Sequence, residues 1–333
     1  LSNFRIKYLI MRKLILSLTI LTHISVFSQN ALENFLNDVV QGSLHDSEIL
    51  LEGYMSPLGS VLGSGLNGGW YSTAKSHSLG GFDVTAGLHL ISIPNSAETF
   101  NPSDEFNQFQ IQGNQNIPTF VGSDNTSSQI IVPGGESFSA PVGTDLPAIP
   151  VPYFQGSIGG PKNTDILFRA SPFKLDFGDM KFGYWGIGFK HDLLQWIPVA
   201  KRIPVDLSYL VSYSKLSSTF NFYGDKNLDF KVRGLNQYLC LSKKLSFITL
   251  YSGVGYHFSN SRLQLNGDFV LDPNGDQVTI SNPFDFNFGG VNGFKTDVGV
   301  RMKILVFALH AQWTRAEYNM FTFGIGLSTD GLY

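Results

Sequence analysis

Asp272, Asn274 and Asp276 stand at i, i+2 and i+4, the spacing with which a calcium loop presents its first oxygen ligands. Such a loop needs a bidentate Glu at its twelfth position, and counting from Asp272 that position is Pro283. A Pro-Asn-Gly hairpin turn explains the same residues without a cation. No two histidines stand at a metal-binding spacing, so no metal site is expected. Serine-hydrolase elbows and phosphate loops are both missing from the sequence. An outer-membrane phospholipase would need a Ser/His pair with an orienting group, a convergence in space that a linear sequence does not display. Asn125-Thr126-Ser127 matches a glycosylation acceptor, but its surroundings are so polar that chance supplies it. The sequence therefore predicts no catalytic residues and no cofactor.

The remaining ionisable groups sit inside alternating segments: Asp83, His89, Asp165, Arg169, Lys190, Asp206, Asp297, Arg301, Lys303 and His310. Each occupies the face opposite a row of large apolar side chains. Alternation with a period of two makes a strand with a different solvent on each face. The chemistry expected of these groups is mutual pairing inside a narrow lumen, because isolated charges away from water are costly. His257 is expected to point inward as well.

Met180–Ser214 shows the pattern most clearly. Trp185, Ile187 and Phe189 oppose Tyr184, Gly186, Gly188 and Lys190, and Val205 to Tyr213 alternates with Asp206 to Ser214. A soluble sandwich gives the same alternation, so composition has to decide. Only 15% of the chain is charged, against about 25% in ordinary soluble domains. Phe, Tyr and Gly are abundant, which suits a β protein whose outer surface does not face water. A net charge of -3 offers nothing to nucleic acid, and Cys240, the single cysteine, rules out an intrachain disulfide.

The N-terminus reads as an export signal over residues 1–28, with the true start at Met11. Arg12-Lys13 supply the basic region, Leu14 to Phe27 the apolar one, and Val26-Phe27-Ser28 the cleavage site. Residues 29–81 read as a helical and glycine-rich plug or lead-in. Leu32, Phe35, Leu36 and Val39 form one apolar helix face and are expected to pack inside the barrel's periplasmic mouth. Asp46 is expected to cap a second helix that Gly53 and Pro57 interrupt, and Ser60 to Gly81 is too glycine-rich to continue it.

Residues 82–333 then read as an all-β transmembrane antiparallel barrel of about 10–12 strands. Starts near 82, 151, 164, 181, 204, 228, 245, 293, 305 and 319 give ten, and Phe106–Gln112 with Ser128–Val132 would make twelve. The polar tracts 94–150 and 259–293 are long for a compact soluble domain but ordinary as extracellular loops. The connectors 159–163, 192–203 and 243–244 would lie on the periplasmic side, the second carrying Trp196, Ile197, Lys201 and Arg202 for a membrane interface. Residues 228–242 change phase near Gly234, which predicts a bulge there. The outward rows of the last three strands contain almost no charge, the pattern of a barrel surrounded by lipid.

GLNGGWYSTAKSH, GGFDVTAGLHL, PVPYFQGSIGGPKNTDI and FGYWGIGFKHDLLQWIPVAKRIPVDLS together resemble an uncharacterised family of exported outer-membrane barrels from Bacteroidota, a domain of unknown function. The likeness covers most of the mature chain. That family is more distantly similar to FadL-like fatty-acid transporter barrels, which have more strands and also begin with a helical plug. The resemblance implies an exported barrel; the leading reading of the sequence is a non-enzymatic outer-membrane barrel that passes small or hydrophobic molecules. Two other readings stay open: a structural or partner-binding barrel acting through its loops, and a soluble secreted carbohydrate-binding sandwich. Outer-membrane lipid is the one partner expected; substrate and protein partners are not legible.

Overall fold

The computed structural model describes residues 43–171, 175–176, 180–197, 204–221, 225–271 and 278–329. Among them, ten long strands pair antiparallel in chain order and close on themselves. They are β1 (Phe82–Ser92), β2 (Ala148–Gly160), β3 (Thr164–Ala170), β4 (Met180–Asp192) and β5 (Asp206–Asn221). β6 (Asn227–Leu245), β7 (Ile248–Asn266), β8 (Gly293–Ile304), β9 (Phe307–Arg315) and β10 (Met320–Ser328) complete the wall. β1 pairs β10 from Asp83↔Ser328 to Ile91↔Met320, which leaves the barrel without an open seam. A single sheet closed on itself is not two packed sheets, so the sandwich alternative falls.

Five strands start and five end at each rim, and the two longest connectors share one rim. At one end three links are tight turns, with Lys162, Asn163, Ser246 and Leu305 in the left-handed region that such turns demand, and the fourth, 193–205, is longer. The Lys243-Lys244 pair lies within β6, and the turn that follows is at Ser246-Phe247. The opposite end carries the long connections 93–147 and 267–292. Gln110–Gln112, Gln129–Ile131 and Ser137–Ser139 pair into a separate three-stranded sheet in the first of these. That sheet takes up the segments from which a twelve-stranded barrel would have been built. Asp268–Leu271 and Val278–Ser281 pair as a hairpin, while the Asp272–Asp276 turn between them lies outside the described residues. So do Lys201 and Arg202, the signal segment, and the predicted plug face Leu32, Phe35, Leu36 and Val39.

The phase change near Gly234 has a different cause from the one the sequence suggests. β6 runs through Gly234 without a bulge, in continuous register with Ser214 on β5 and Ser259 on β7. What changes is the medium. Toward the short-turn end, Leu235, Leu239 and Leu241 face out, while Asn236, Tyr238, Cys240 and Ser242 face in. Toward the long-loop end, Leu228, Phe230 and Val232 are buried inward and Arg233 is exposed. The switch falls at one level on three strands: Tyr213, Leu235 and Phe258 form the last apolar row outside. Lys215, Arg233 and Asn260 form the next row, which is polar. The outward row of β6 from Leu235 to Leu245, apolar except for Gln237 and Lys243, spans roughly 25 Å for a tilted strand, the height of a bilayer's apolar band.

The inward apolar rows above that level receive helix α1 (Leu44–Asn67). Ser43 caps it, its hydroxyl accepting from Asp46 N–H. The helix passes through Gly53 and Pro57 and also includes Ser60–Asn67, against expectation. Tertiary burial overrides weak propensity here. Gly59 and Gly63 lie against Ser261 and Ser259 of β7, where a Cβ would approach within 2.3 and 2.6 Å. Leu50, Leu51, Val61 and Leu66 are buried on the other sides. α1 therefore fills the long-loop half of the lumen, and residues 68–81 descend through the other half to reach Phe82. The plug is not confined to the short-turn mouth, because its apolar helix matches the apolar upper wall.

Candidate functional site

The candidate site is the level of the lumen where α1 ends. A helix C-terminus leaves carbonyls without intrahelical donors, and its dipole favours cations nearby. The barrel wall supplies both needs. Lys295 Nζ donates to Asn67 O at 2.7 Å, with the Tyr238 ring 4.6 Å from the ammonium. Arg169 donates from Nη1 to Gly68 O and from Nη2 to Gly69 O, both at 2.6 Å. Its Nε and Nη2 also donate to Gln155 Oε1. The guanidinium carbon lies 4.3 Å from the Trp70 ring centroid and 4.6 Å from that of Tyr153. Gly69 adopts φ +58°, which turns two successive carbonyls toward one cation, and a Cβ there would meet His89 at 2.6 Å.

His89 Nε2 faces Arg169 Nη1 at 3.4 Å, so Nε2 is the acceptor and Nδ1 carries the hydrogen. That hydrogen points at Thr322 Oγ1, 2.8 Å away. The His89 ring stacks on Tyr153 at 4.5 Å, and Tyr153 Oη meets His310 Nε2 at 3.2 Å.

Below Trp70, Tyr71 donates to Asp297, and its ring packs edge-on against Tyr238 and Tyr251. Lys190 Nζ donates to Thr73 O and Lys75 O and sits 3.1 Å from Asp165. His77 joins Asp165 at 2.9 Å to Asp83 at 3.3 Å, and Arg301 lies 3.1 Å from Asp83. Ser242 donates to Asp206 at 3.2 Å while accepting from Ala74 N–H. The plug's last segment is thus held mainly through its backbone.

Small wall residues make room for its rings. A Cβ at Gly188 would lie 3.1 Å from the Trp70 ring, and one at Gly253 would lie 2.1 Å from Tyr71 Oη. A polar cavity of about 20 Å³ lies beside Trp70, Thr73, His77 and Lys190. That volume holds about one water molecule.

The other end of the plug is fastened as well. Asp46 accepts from the backbone N–H groups of Asn107, Gln108 and Phe109 in the first long connection, at 2.9, 2.6 and 2.7 Å. Burial alone would raise its carboxyl, but the three N–H donors and His45 outweigh that and hold it below the usual carboxylate range. Tyr54 Oη donates to Val142 O of the same connection.

Asp83, His89, Asp165, Arg169, Lys190, Asp206, Asp297 and Arg301 all lie on the inward rows, spread from this level down toward the short-turn rim. Lys303 and His310 share those rows, half-buried. Two of the expected acid–base pairs form, Asp165–Lys190 and Asp83–Arg301. Arg169 and Asp297 depart from that expectation, because the plug supplies their partners instead. Lys295, His77, Trp70, Tyr71 and Gln155 escape sequence reasoning. The inward position of Lys295, two residues before Asp297, was the available signal.

At the short-turn rim, Thr164 Oγ1 lies 2.7 Å from His191 Nδ1, a contact that invites a nucleophile–base reading. Trp196 Nε1 donates to His191 Nε2 at 2.8 Å, so Nδ1 carries the hydrogen and donates toward Thr164. In that tautomer His191 does not activate the hydroxyl.

No curated protein sequence matches the chain. Among solved structures it is similar to Ail, the attachment invasion locus protein of Yersinia pestis. The identity is 7%, over 75% of this chain and 98% of that one, with a TM-score of 0.23. It is similar to the translocator domain of the autotransporter NalP from Neisseria meningitidis at 9% identity, over 80% and 90% of the two chains, with a TM-score of 0.29. The toluene transporter TodX of Pseudomonas putida gives 12% identity over 85% and 77%, with a TM-score of 0.28. Residues 11–329 match the model of a family of unknown function, DUF6588, and the chain belongs to that family.

Proposed function

We propose that the chain is a non-enzymatic outer-membrane barrel, exported by a cleaved signal, that its own N-terminal segment keeps closed. Small or hydrophobic molecules pass when that segment shifts. The observation that carries this reading is the filled lumen: α1 and residues 68–81 pack against the inner wall, and the polar cavity beside Trp70 measures about 20 Å³. Support for the membrane setting comes from the outer surface. Val298, Val300, Met302, Phe321, Phe323 and Ile325 are all exposed on β8 and β10, the two strands that flank β9, with no charge among them. In water such a patch would drive aggregation; in lipid it is the required surface. Outer-membrane lipid is accordingly the surrounding partner, and no role for nucleic acid is proposed. The FadL-like likeness in the sequence supports the same arrangement of plug and wall, with fewer strands.

Replacing residues 44–76 by a flexible Gly-Ser linker tests this reading. The barrel should still fold, and proteoliposomes should become permeable to solutes that the full chain excludes. Unchanged permeability in a folded, plug-free barrel would refute it.

A second reading has one observation in its favour. The long connection 93–147 builds its own sheet and is tied to the plug by Asp46 and Tyr54. A fixed outer surface of this kind suits a barrel that binds a partner. In that case removal of residues 44–76 should abolish partner capture without creating permeability.

A further inference from the structure

We propose that Arg169 is a carboxylate-binding residue of the lumen, whose binding positions the Gly68 and Gly69 carbonyls occupy while the plug is seated. The proposal rests on the plugged-barrel reading above. Arg169 is 2% exposed. Among the described residues no carboxylate lies within 4 Å of it, whereas Lys190 has Asp165 and Arg301 has Asp83. A buried guanidinium without an acid is unusual, because a charge out of water needs compensation.

The compensation comes from two successive peptide oxygens, one on each terminal nitrogen, both at 2.6 Å. That is the two-point grip with which a guanidinium holds the two oxygens of a carboxylate. Gly69, at φ +58°, makes the mimicry possible, since it lets consecutive carbonyls converge.

The parts of the site divide between plug and wall. Gln155, Tyr153, His89 and Thr322 belong to the wall and stay with Arg169 when the plug moves. Gly68 O, Gly69 O and Trp70 leave with the plug. Departure therefore strips both terminal nitrogens on the lumen side and leaves Gln155 and the Tyr153 face in place. A carboxylate entering at that point restores both hydrogen bonds and adds the missing negative charge. By linkage, a ligand that binds only the unplugged state must shift the plug outward. If Arg169 served only to cap α1, carboxylates would have no effect on plug position.

The test uses the full-length protein carrying Ser72→Cys and Cys240→Ser, refolded in detergent. Ser72 lines the small cavity and is half-buried, so maleimide labels a cysteine there slowly with the plug seated and faster as the plug loosens. The probe is sodium acetate against sodium chloride at equal ionic strength. Acetate should raise the labelling rate at least threefold, in a saturable way. Adding Arg169→Gln should remove that dependence, and Arg169→Lys should weaken it at least tenfold in acetate concentration, because the fork is lost.

Identical rates in acetate and chloride would overturn the proposal, as would an acetate effect that survives Arg169→Gln. If Arg169→Gln does not fold, Gly69→Val in the same background replaces it. Withdrawing the carbonyls from Arg169 should lower the half-saturating acetate concentration at least tenfold, and an unchanged value overturns the proposal. Permeability of the plug-free barrel involves neither acetate nor Arg169, so either reading can fail alone.

Discussion

Arginine placed at successive outward positions of β6 should be tolerated according to depth, and the register fixes the depths. Leu235 is in the last apolar row before the polar level marked by Arg233. Leu239 lies four residues further toward the short turns and is paired with Val254 on β7. It is 42% exposed, so a longer side chain meets the surroundings rather than the barrel wall. With roughly 3.3 Å per residue and a strand tilt of about 40°, Leu239 lies about 10 Å inside the belt, near its middle. Leu239→Arg should therefore cost about 2–4 kcal/mol and Leu235→Arg about 0–1, while Asp229→Arg should cost about 1 kcal/mol through loss of its partly exposed contacts to Lys231 and Thr219. Urea titrations of folding into lipid vesicles, read by the gel shift between folded and heated protein, measure the three directly. Equal costs at 229, 235 and 239, or a gain in solubility without lipid for Leu239→Arg, would refute the membrane reading.

Asp46→Ala should leave the Asn107, Gln108 and Phe109 N–H groups without their acceptor and loosen the outer fastening by about 1–3 kcal/mol, measurable as faster proteolysis of α1. The Asp46 carboxyl is held below its ordinary range in the folded protein, so its stabilisation is complete above the unfolded value near 4 and is lost as pH falls through the lowered one. Acid should thus speed proteolysis of α1 in the parent, and Asp46→Asn should flatten that dependence. Gly188→Leu puts a side chain where the Trp70 ring lies and should destabilise the seated plug by about 1–3 kcal/mol, seen as faster labelling of a cysteine at Ser72. Gly156→Ala, where the nearest atom is 3.9 Å away, should change labelling little.

Much of the barrel was legible in the sequence because a strand between lipid and lumen must alternate. Ten strand starts could be counted, and eight of the candidate charged and histidine residues fall on inward rows between the end of α1 and the short-turn rim. The long-loop half was harder to read. There the protein reverses its polarity, with Phe230 and Val232 facing an apolar helix inside and Arg233 facing out. A rule that apolar means outward reads that reversal as a bulge. α1 was misjudged for a related reason, since Gly59 and Gly63 weaken an isolated helix yet let this one lie against Ser259 and Ser261. The partners of Arg169 were hidden altogether, because Gly68 and Gly69 contribute backbone oxygens and no side-chain pattern marks them. The glycines opposite Trp70 and Tyr71 did carry a signal, as gaps in the inward rows at Gly188 and Gly253.

Closure by the plug is the central claim, and a reversible lock on the full-length chain tests it. A Cβ at Gly65 would lie 3.6 Å from the Cβ of Val151 on β2, within the range that a disulfide spans. Single-channel current is recorded in planar bilayers from the Gly65→Cys, Val151→Cys, Cys240→Ser protein, first oxidised and then after reductant is added to the same membrane. The oxidised protein should be silent, and reduction should restore brief openings that match those of the unlocked chain. A large, steady conductance from the oxidised protein would show that molecules pass with the plug in place, and would contradict the account.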